Sequence, residues 1–243
     1  MLKAQVQTAL RVLFPPSCAG CGGMVESEFA LCGACWAKLP LISGPVCQSC
    51  GVPVLSRDPE DDTKCDDCQK LARPWSQGRS AMLYRDMGRT LVLRLKHADR
   101  HDVAVTAATW LAQAARPLLQ EDTVIVPVPL HWQRLVQRRY NQSALLAQHL
   151  ALRVSRRAVL DGLVRMRRTK PLDGANVTER FERLSGVIIP NSQRTKYLTG
   201  KPVLLVDDVM TSGATLAAAT EGCLAAGARR VDVLTLARVA KDD

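Results

Sequence analysis

The strongest constraint on the fold of this 243-residue chain is a run of thirteen residues near its C-terminal end. Residues 203–206 are four consecutive apolar residues, which predict a strand buried on both faces. Asp207 and Asp208 follow directly, and small side chains at residues 211–215 lead into an alanine-rich stretch typical of a helix. Backbone N–H groups at a helix N-terminus lack partners and carry partial positive charge, so small side chains there leave room for a phosphate. The run therefore predicts a strand, a phosphate-binding loop and a helix.

This loop differs from the two common nucleotide-binding loops, because it has neither the lysine of the P-loop nor the three glycines of the dinucleotide fingerprint. It resembles the phosphoribosyl-diphosphate (PRPP) signature of type I phosphoribosyltransferases. The resemblance implies that Asp207 and Asp208 accept hydrogen bonds from the ribose 2- and 3-hydroxyls of PRPP or another ribose phosphate. It also implies that five loop residues hold the 5-phosphate: Thr211, Ser212, Gly213, Ala214 and Thr215. The alternative is structural, since carboxylates at the end of a strand stabilise the N-terminus of the following helix.

Eight of the nine cysteines form four Cys-x-x-Cys pairs. The pairs are Cys18/Cys21, Cys32/Cys35, Cys47/Cys50 and Cys65/Cys68. When two residues separate two cysteines, both thiolates can bind one tetrahedral ion. Ten residues separate the first pair from the second and fourteen separate the third from the fourth, and both intervals fit a short ribbon. The pattern predicts two structural zinc ions, whose four thiolates leave no open position for metal catalysis. A disulfide framework is the alternative, but we expect no secretory leader, and this favours metal.

Length and composition predict two units, a double zinc-ribbon segment over residues 1–75 and an α/β domain over residues 76–243. The first unit has little other core material, so we expect it to need metal to fold. Residues 1–14 carry apolar side chains at helical spacing and predict a packing helix, and the acidic run at residues 58–62 predicts a solvated loop. No stretch reaches membrane length, so we expect a cytoplasmic protein without membrane insertion.

Beyond residue 75 the apolar pattern alternates between strands and helices, as in a doubly wound α/β fold with a mostly parallel sheet. Strands are predicted over residues 80–84, 124–129, 159–164 and 231–237. Helices are predicted over residues 89–119, 133–152 and 216–226. Cys223 falls on the apolar face of the last helix and is predicted to lie in the core. Ligands of such sheets bind outside the C-terminal strand ends, so the basic segment after residue 129 is expected near the phosphate-binding loop.

Further motifs extend over nearly the whole chain. In order, they are the zinc-ribbon start, Leu95-Lys96-His97, the segments at residues 127–131 and 138–142, Glu179-Arg180 and the Asp-Asp loop. Together they resemble the ComF family. This resemblance implies a double zinc ribbon followed by a type I phosphoribosyltransferase fold, and several members are associated with DNA uptake in natural competence. The chain departs from the family pattern at Leu172 and Arg183, where many relatives carry Gln and Asn.

Positive charge is concentrated in residues 132–201, which hold fifteen Lys and Arg against four Asp and Glu. The segment's net charge of +11 slightly exceeds the +10 of the whole chain. Such a block attracts polyanions, either a diphosphate at the site or single-stranded DNA along a groove. The segment's aromatic residues are candidates for stacking on bases: Trp132, Tyr140, Phe181 and Tyr197. The alternative is an ordinary solvated basic surface.

The resemblance to phosphoribosyltransferases also implies a mechanism. Displacement of diphosphate from ribose carbon 1 passes through an oxocarbenium-like state, and Lys96, Arg134 and Arg138 are the candidate catalytic residues that neutralise the departing diphosphate. Mg²⁺ would be held mostly by substrate oxygens and water. Thr211 stands where some purine-specific relatives have an Asp base, so no general base is visible in the loop. Two functions remain open: transfer of phosphoribosyl to an unidentified acceptor, or a non-catalytic accessory role in PRPP sensing or single-stranded DNA handling.

Overall fold

The computed structural model describes residues 15–55, 63–96, 101–167, 177–184 and 186–240. Several sequence-based predictions lie outside these ranges. They are the helix at residues 1–14, the acidic loop at residues 58–62, and the positions of His97 and Leu172.

Seven strands form two sheets in the described chain. The strands are β1 Gly78–Leu83, β2 Val124–Pro127, β3 Arg157–Ala158, β4 Leu163–Arg165, β5 Ile188–Pro190, β6 Pro202–Met210 and β7 Arg230–Arg238. Five of them make a parallel sheet in the order β1-β7-β6-β2-β3, and β4 pairs with β5 in a separate antiparallel ribbon. Parallel neighbours need crossover connections, which helices supply here. This topology confirms the predicted doubly wound α/β class.

The helices cover both faces of the parallel sheet. They are α1 Gly33–Trp36, α2 Asp66–Lys70, α3 Asp86–Lys96, α4 Asp102–Ala115, α5 Trp132–Arg138, α6 Gln142–Val154, α7 Val177–Leu184 and α8 Ala214–Ala225. One core contains side chains of α3, α4 and α6, and the other contains side chains of α7 and α8. Successive residues of β6 alternate between them, with Val203 and Leu205 in the second core and Leu204 and Val206 in the first. This two-sided burial explains the continuous apolar run in the sequence.

Three of the sequence-based element assignments are wrong in detail. The predicted helix over residues 133–152 is two helices, because Arg139 adopts left-handed backbone with φ of 66° and ends α5. The side chain of Asn141 then accepts a hydrogen bond from the Ser143 N–H and caps α6. The predicted strand over residues 159–164 is a strand only at its end: residues 159–162 form a turn closed by a hydrogen bond from Gly162 N to Val159 O, and β4 begins at Leu163.

The predicted helix over residues 89–119 is also divided, into α3, α4 and a short 3-10 turn at Arg116–Leu118. The other predicted strands and the last helix are confirmed within a few residues, and Cys223 is fully buried as expected. Among the helices in the described ranges, none combines the length and apolar character needed to cross a membrane.

The N-terminal cysteine-rich segment wraps around the β1 edge of the sheet. Ala19 packs in the core beneath α3 and α4, whereas Cys47, Cys50 and Cys68 lie in the core beneath α8, on the opposite face. Residues 40–42 cross the edge between these faces and pair with β1 in antiparallel fashion. The segment is therefore packed against both layers of helices.

Candidate functional site

The acidic pair lies near the carboxyl end of the central strand β6. Asp207 and Asp208 are half-buried, and they follow the fully buried residues of the strand. The Asp207 Oδ1 atom accepts hydrogen bonds from Ser143 Oγ at 2.7 Å and from the Asp208 N–H at 2.9 Å. The Asp208 Oδ2 atom lies 3.4 Å from Lys96 Nζ. The site thus offers carboxylate acceptors held by a hydroxyl from α6 and an ammonium group from α3.

The electrostatics of the pair are unusual for aspartates. Burial, together with the neighbouring Asp208 carboxylate, raises the pKa of Asp207 to about 7. The hydrogen bonds from Ser143 and the Asp208 N–H, and the charge of Lys96, lower the pKa and oppose this rise. A carboxyl group with a strongly raised pKa beside a lysine is typical of functional sites.

The loop after β6 has the geometry expected of an anion-binding loop. Gly213 adopts left-handed backbone with φ of 84° and immediately precedes α8. A Cβ atom at this position would lie 2.9 Å from Trp75 Cη2 and 3.2 Å from Arg73 Nη1, so glycine is required for both conformation and space. The Ser212 Oγ atom accepts a hydrogen bond from the Ala214 N–H at 3.4 Å. The loop therefore leads from the acidic pair on β6 to the first N–H groups of a twelve-residue helix.

The buried Arg238 and the half-buried Arg73 donate hydrogen bonds to backbone carbonyl groups of this loop. Arg238 Nη1 donates to Thr211 O at 2.8 Å, and Arg73 Nη1 donates to Ser212 O at 2.6 Å. The Thr211 and Ser212 carbonyl groups therefore have hydrogen-bond partners on the side of the loop that faces the core.

Of the three predicted cationic residues, Lys96, Arg134 and Arg138, Lys96 forms an ion pair with the acidic pair. Lys96, at the end of α3, is brought to the acidic pair. Arg134 lies near Arg165 of β4: burial lowers the pKa of Arg165, the charge of Arg134 lowers it further, and the charge of Asp207 opposes both. Arg138 is half-exposed at the end of α5, and in the described part of the chain none of its contacts reaches the acidic pair or the loop.

The two couples of Cys-x-x-Cys pairs form two separate clusters. The first cluster is Cys18, Cys21, Cys32 and Cys35, and the second cluster is Cys47, Cys50, Cys65 and Cys68. Within each, all four sulfur atoms lie within 4.8 Å of one another. The sulfurs of Cys21 and Cys32 are 3.8 Å apart, and those of Cys50 and Cys65 are 3.7 Å apart.

These separations distinguish metal binding from disulfide formation. Four sulfurs at about 2.3 Å from a tetrahedral zinc ion lie roughly 3.8 Å from each other, whereas a disulfide requires about 2.05 Å. All nine cysteines are free of disulfide bonds. Both clusters therefore fit structural zinc, as the sequence predicts, and the disulfide alternative does not fit.

Comparison with known proteins agrees with this architecture. Residues 9–69 match the family described as "Double zinc ribbon domain", and residues 141–242 match the "Phosphoribosyl transferase domain". The "DNA utilization protein YhgH" of Salmonella typhimurium is 30% identical over 218 residues, which cover 87% of this chain and 92% of that protein. The chain belongs to the ComF family.

Two other relatives carry competence names. The "Competence protein ComFC" of Bacillus subtilis is 27% identical over 223 residues, covering 88% of this chain and 87% of that protein. The "Competence protein F" of Haemophilus influenzae is 26% identical over 226 residues, covering 91% of this chain and 90% of that protein. The α/β part of this ComF family chain thus has the type I phosphoribosyltransferase fold.

Several residues at the site of this ComF family chain were not identified as site residues from the sequence. Ser143 bonds to Asp207, and Tyr140 donates from its hydroxyl group to Leu95 O at 2.6 Å, next to Lys96. Both flank Asn141, whose side chain caps α6 and also donates to Val128 O at 3.0 Å. The signal that could have found them is a helix-capping Asn soon after a buried strand, which starts a helix at the carboxyl edge of the sheet.

Proposed function

We propose that this ComF family protein binds PRPP together with Mg²⁺ and transfers the phosphoribosyl group to an acceptor. The observation that carries the proposal is that Asp207 and Asp208 on β6 belong to the same strand–loop–helix unit as the left-handed Gly213 and the N-terminus of α8. One strand–loop–helix unit thus presents two carboxylates for ribose hydroxyls and backbone N–H groups for a phosphate. The cysteine clusters suit a reducing compartment, and we expect the protein to act in the cytoplasm.

The residues of the chain have distinct roles in this proposal. Asp207 and Asp208 hold the ribose ring, and residues 211–215 hold the 5-phosphate, so that carbon 1 is oriented for attack. Lys96 is paired with Asp208 before substrate arrives, and a ribose hydroxyl on that carboxylate would weaken the pairing and free the ammonium group for the diphosphate. Magnesium bound with PRPP would neutralise part of the diphosphate charge, and Asp207 and Asp208 are oxygen donors of the kind it prefers.

Cations near the acidic pair favour turnover over sensing. Arg165 lies close enough to Arg134 and to Asp207 for its charge to interact with both. Guanidinium groups match the oxygens of a diphosphate in bidentate geometry and keep their charge, so both side chains suit this leaving group. Ribose and 5-phosphate recognition needs neither of them, so their position supports departure of diphosphate at this site. Arg138 stays a candidate for the same role.

The proposal is tested by binding and by turnover in the zinc-loaded protein. Calorimetry with PRPP and Mg²⁺ measures affinity, and ³¹P NMR with a mixture of candidate acceptors detects released diphosphate. The double variant Asp207→Asn, Asp208→Asn should lose most of the affinity, because a hydrogen bond to a charged acceptor contributes about 1.5–3 kcal/mol. A matched control with the same charge change is Asp122→Asn, Asp161→Asn, since these carboxylates are exposed in surface ion pairs.

Each result has a definite meaning. Binding with diphosphate release supports the transferase, and binding without release under every acceptor supports a PRPP sensor. Unchanged affinity in the Asp207→Asn, Asp208→Asn variant would contradict the site itself.

Single-stranded DNA is a second candidate ligand, favoured by the surface of α5. Trp132 is 63% exposed and Val136 is 73% exposed, and Arg134 and Arg138 lie on the same short helix. An exposed tryptophan among arginines is a suitable platform for an unpaired base and its phosphate. The names of the relatives, which include DNA utilization and competence proteins, agree with this role.

A further inference from the structure

We infer that the second cluster is a structural part of the phosphate-binding loop, and that Arg73 and Arg238 are the positioning residues that join them. The inference rests on the proposed function of residues 211–215 as the phosphate-binding loop. It assigns different tasks to two metal clusters that are alike in the sequence. The first cluster stabilises the fold, whereas the second cluster also sets the shape of the ligand site.

Arg238 connects the second cluster to the start of the loop. It lies at the end of β7 and is 4% exposed. Its Nη1 atom donates to Met210 O at 3.2 Å and to Thr211 O at 2.8 Å, and its Nη2 atom is 3.9 Å from Cys50 Sγ. Within the described ranges no carboxylate forms an ion pair with this guanidinium group.

A buried cation needs a compensating charge, and the metal cluster supplies it. Four thiolates around one Zn²⁺ ion carry a net charge of about −2. This charge lies beside the guanidinium group of Arg238, so the cluster is its electrostatic partner. Loss of the metal would release the four sulfur atoms from one another, and Cys50 would no longer be fixed beside Arg238.

Arg73 connects the same cluster to the middle of the loop. Its Nη1 atom donates to Ser212 O at 2.6 Å, and its guanidinium group lies close enough to Cys68 to interact with that side chain. The guanidinium carbon lies 5.6 Å from the ring centroid of Trp75 and 5.7 Å from that of Phe181. A planar cation between two rings has little rotational freedom, so its bond to Ser212 O is directional.

Trp75 makes the third connection. Its Nε1 atom donates to Ser49 O at 2.6 Å, and Ser49 lies between the ligands Cys47 and Cys50. The ring of Trp75 is buried and leaves no room for a side chain at Gly213. Three consecutive loop residues, 211–213, therefore contact side chains that in turn contact the second cluster or the backbone between its ligands Cys47 and Cys50.

The first cluster contacts other elements. A Cβ atom at Gly20 would lie 2.9 Å from Met87 Sδ in α3, and Phe29 O accepts a hydrogen bond from Thr106 Oγ1 in α4 at 2.7 Å. In the described part of the chain, no hydrogen bond joins the first cluster to residues 211–215. Loss of metal from the first cluster is therefore the control for loss of metal from the second cluster.

The test compares matched variants of the full-length protein. Cys65→Ser and Cys32→Ser each remove the third ligand of one cluster, and both cysteines are half-buried. Arg73→Gln removes a connection while leaving all eight thiols in place. For each variant the zinc content is measured by elemental analysis, PRPP affinity by calorimetry with Mg²⁺, and amide hydrogen exchange across residues 211–215 by mass spectrometry.

We expect Cys65→Ser and Arg73→Gln to weaken PRPP binding at least tenfold and to accelerate exchange in the loop. Cys32→Ser should leave affinity within about twofold and exchange in the loop unchanged, although it too loses one zinc ion. If Cys65→Ser does not fold, Arg73→Gln carries the same comparison with both metals bound. Equal effects of Cys65→Ser and Cys32→Ser on the loop, or normal affinity and exchange in Arg73→Gln, would overturn the inference.

Failure of the proposed function gives a different pattern. Wild-type protein that binds no PRPP contradicts the proposed function, yet the exchange measurement still decides whether the second cluster holds the loop. Fast exchange in Cys65→Ser and Arg73→Gln, with normal exchange in Cys32→Ser, supports the structural connection without reference to any ligand.

Discussion

Removal of the Ser143 hydroxyl should change the pH at which the acidic pair becomes able to bind ribose. Ser143 Oγ donates to Asp207 Oδ1 at 2.7 Å, and this bond is one of the interactions that lower the pKa of Asp207. A hydrogen bond to a charged group contributes about 1.5–3 kcal/mol, and one pH unit of pKa corresponds to about 1.4 kcal/mol. Ser143→Ala should therefore move the pKa of Asp207 from about 7 to about 8 or 9.

The consequence for ligand binding follows from the charge of the carboxylate. A carboxyl group with a pKa of about 7 is roughly half ionised at pH 7, and the change would reduce this fraction to roughly 1–10%. If ribose hydroxyls bind the ionised form, affinity for PRPP at pH 7 falls in Ser143→Ala and recovers above pH 9. Ser143→Thr keeps a hydroxyl group and should retain the wild-type pH dependence.

The assay is a carboxyl ¹³C NMR titration combined with calorimetry at a series of pH values from about 6 to about 10. The Asp207 resonance is assigned by its absence in Asp207→Asn, and wild-type protein is titrated in parallel as the reference. A pKa of Asp207 that stays at about 7 in Ser143→Ala would refute the reasoning.

Three other expectations can be checked independently. Purified protein should contain two zinc ions per chain by elemental analysis, and iron, or intact disulfides without metal, would contradict the assignment of both clusters. The pKa of Asp207 is raised on folding, so its stabilising contribution is full below pH 4 and is lost as pH rises to about 7. Asp207→Asn should therefore raise the free energy of unfolding by about 0.5–2 kcal/mol at pH 8 and by less at pH 6. Urea unfolding that shows no gain at pH 8 would count against a raised pKa. Affinity for single-stranded DNA, measured by fluorescence anisotropy, should fall with salt at a slope of about 0.7 per phosphate contact and should weaken in Trp132→Ala; a flat salt response would exclude the DNA role.

Local patterns in the sequence were sufficient for the fold class, for the central strand that carries the candidate site and for the two cysteine clusters. The strand at residues 203–206 is buried on both faces, so its apolar character is continuous and easily recognised. The spacing of the cysteines similarly identifies two clusters, because both ligands of each pair come from a single turn.

Contacts between distant parts of the chain could not be predicted in the same way. Arg73 and Ser212 are 139 positions apart, and Arg238 and Cys50 are 188 positions apart. No local pattern distinguishes these arginines from the many exposed ones, because their roles depend on how the N-terminal segment wraps around the sheet. The break at Arg139 was missed for another reason: the apolar periodicity continues through it, whereas the cap at Asn141 determines where α6 begins.

The path of residues 40–42 along β1 has a consequence for solubility. Ile42 N donates to Ala81 O at 3.0 Å and Leu83 N donates to Pro40 O at 2.9 Å, so the outer hydrogen-bonding groups of this edge strand are occupied. The opposite edge, β3, is only two residues long. Open strand edges are templates for pairing with other chains, and covering or shortening them prevents aggregation. In this protein the metal-bound segment covers the longer edge, so zinc-depleted chains would be expected to associate through β1.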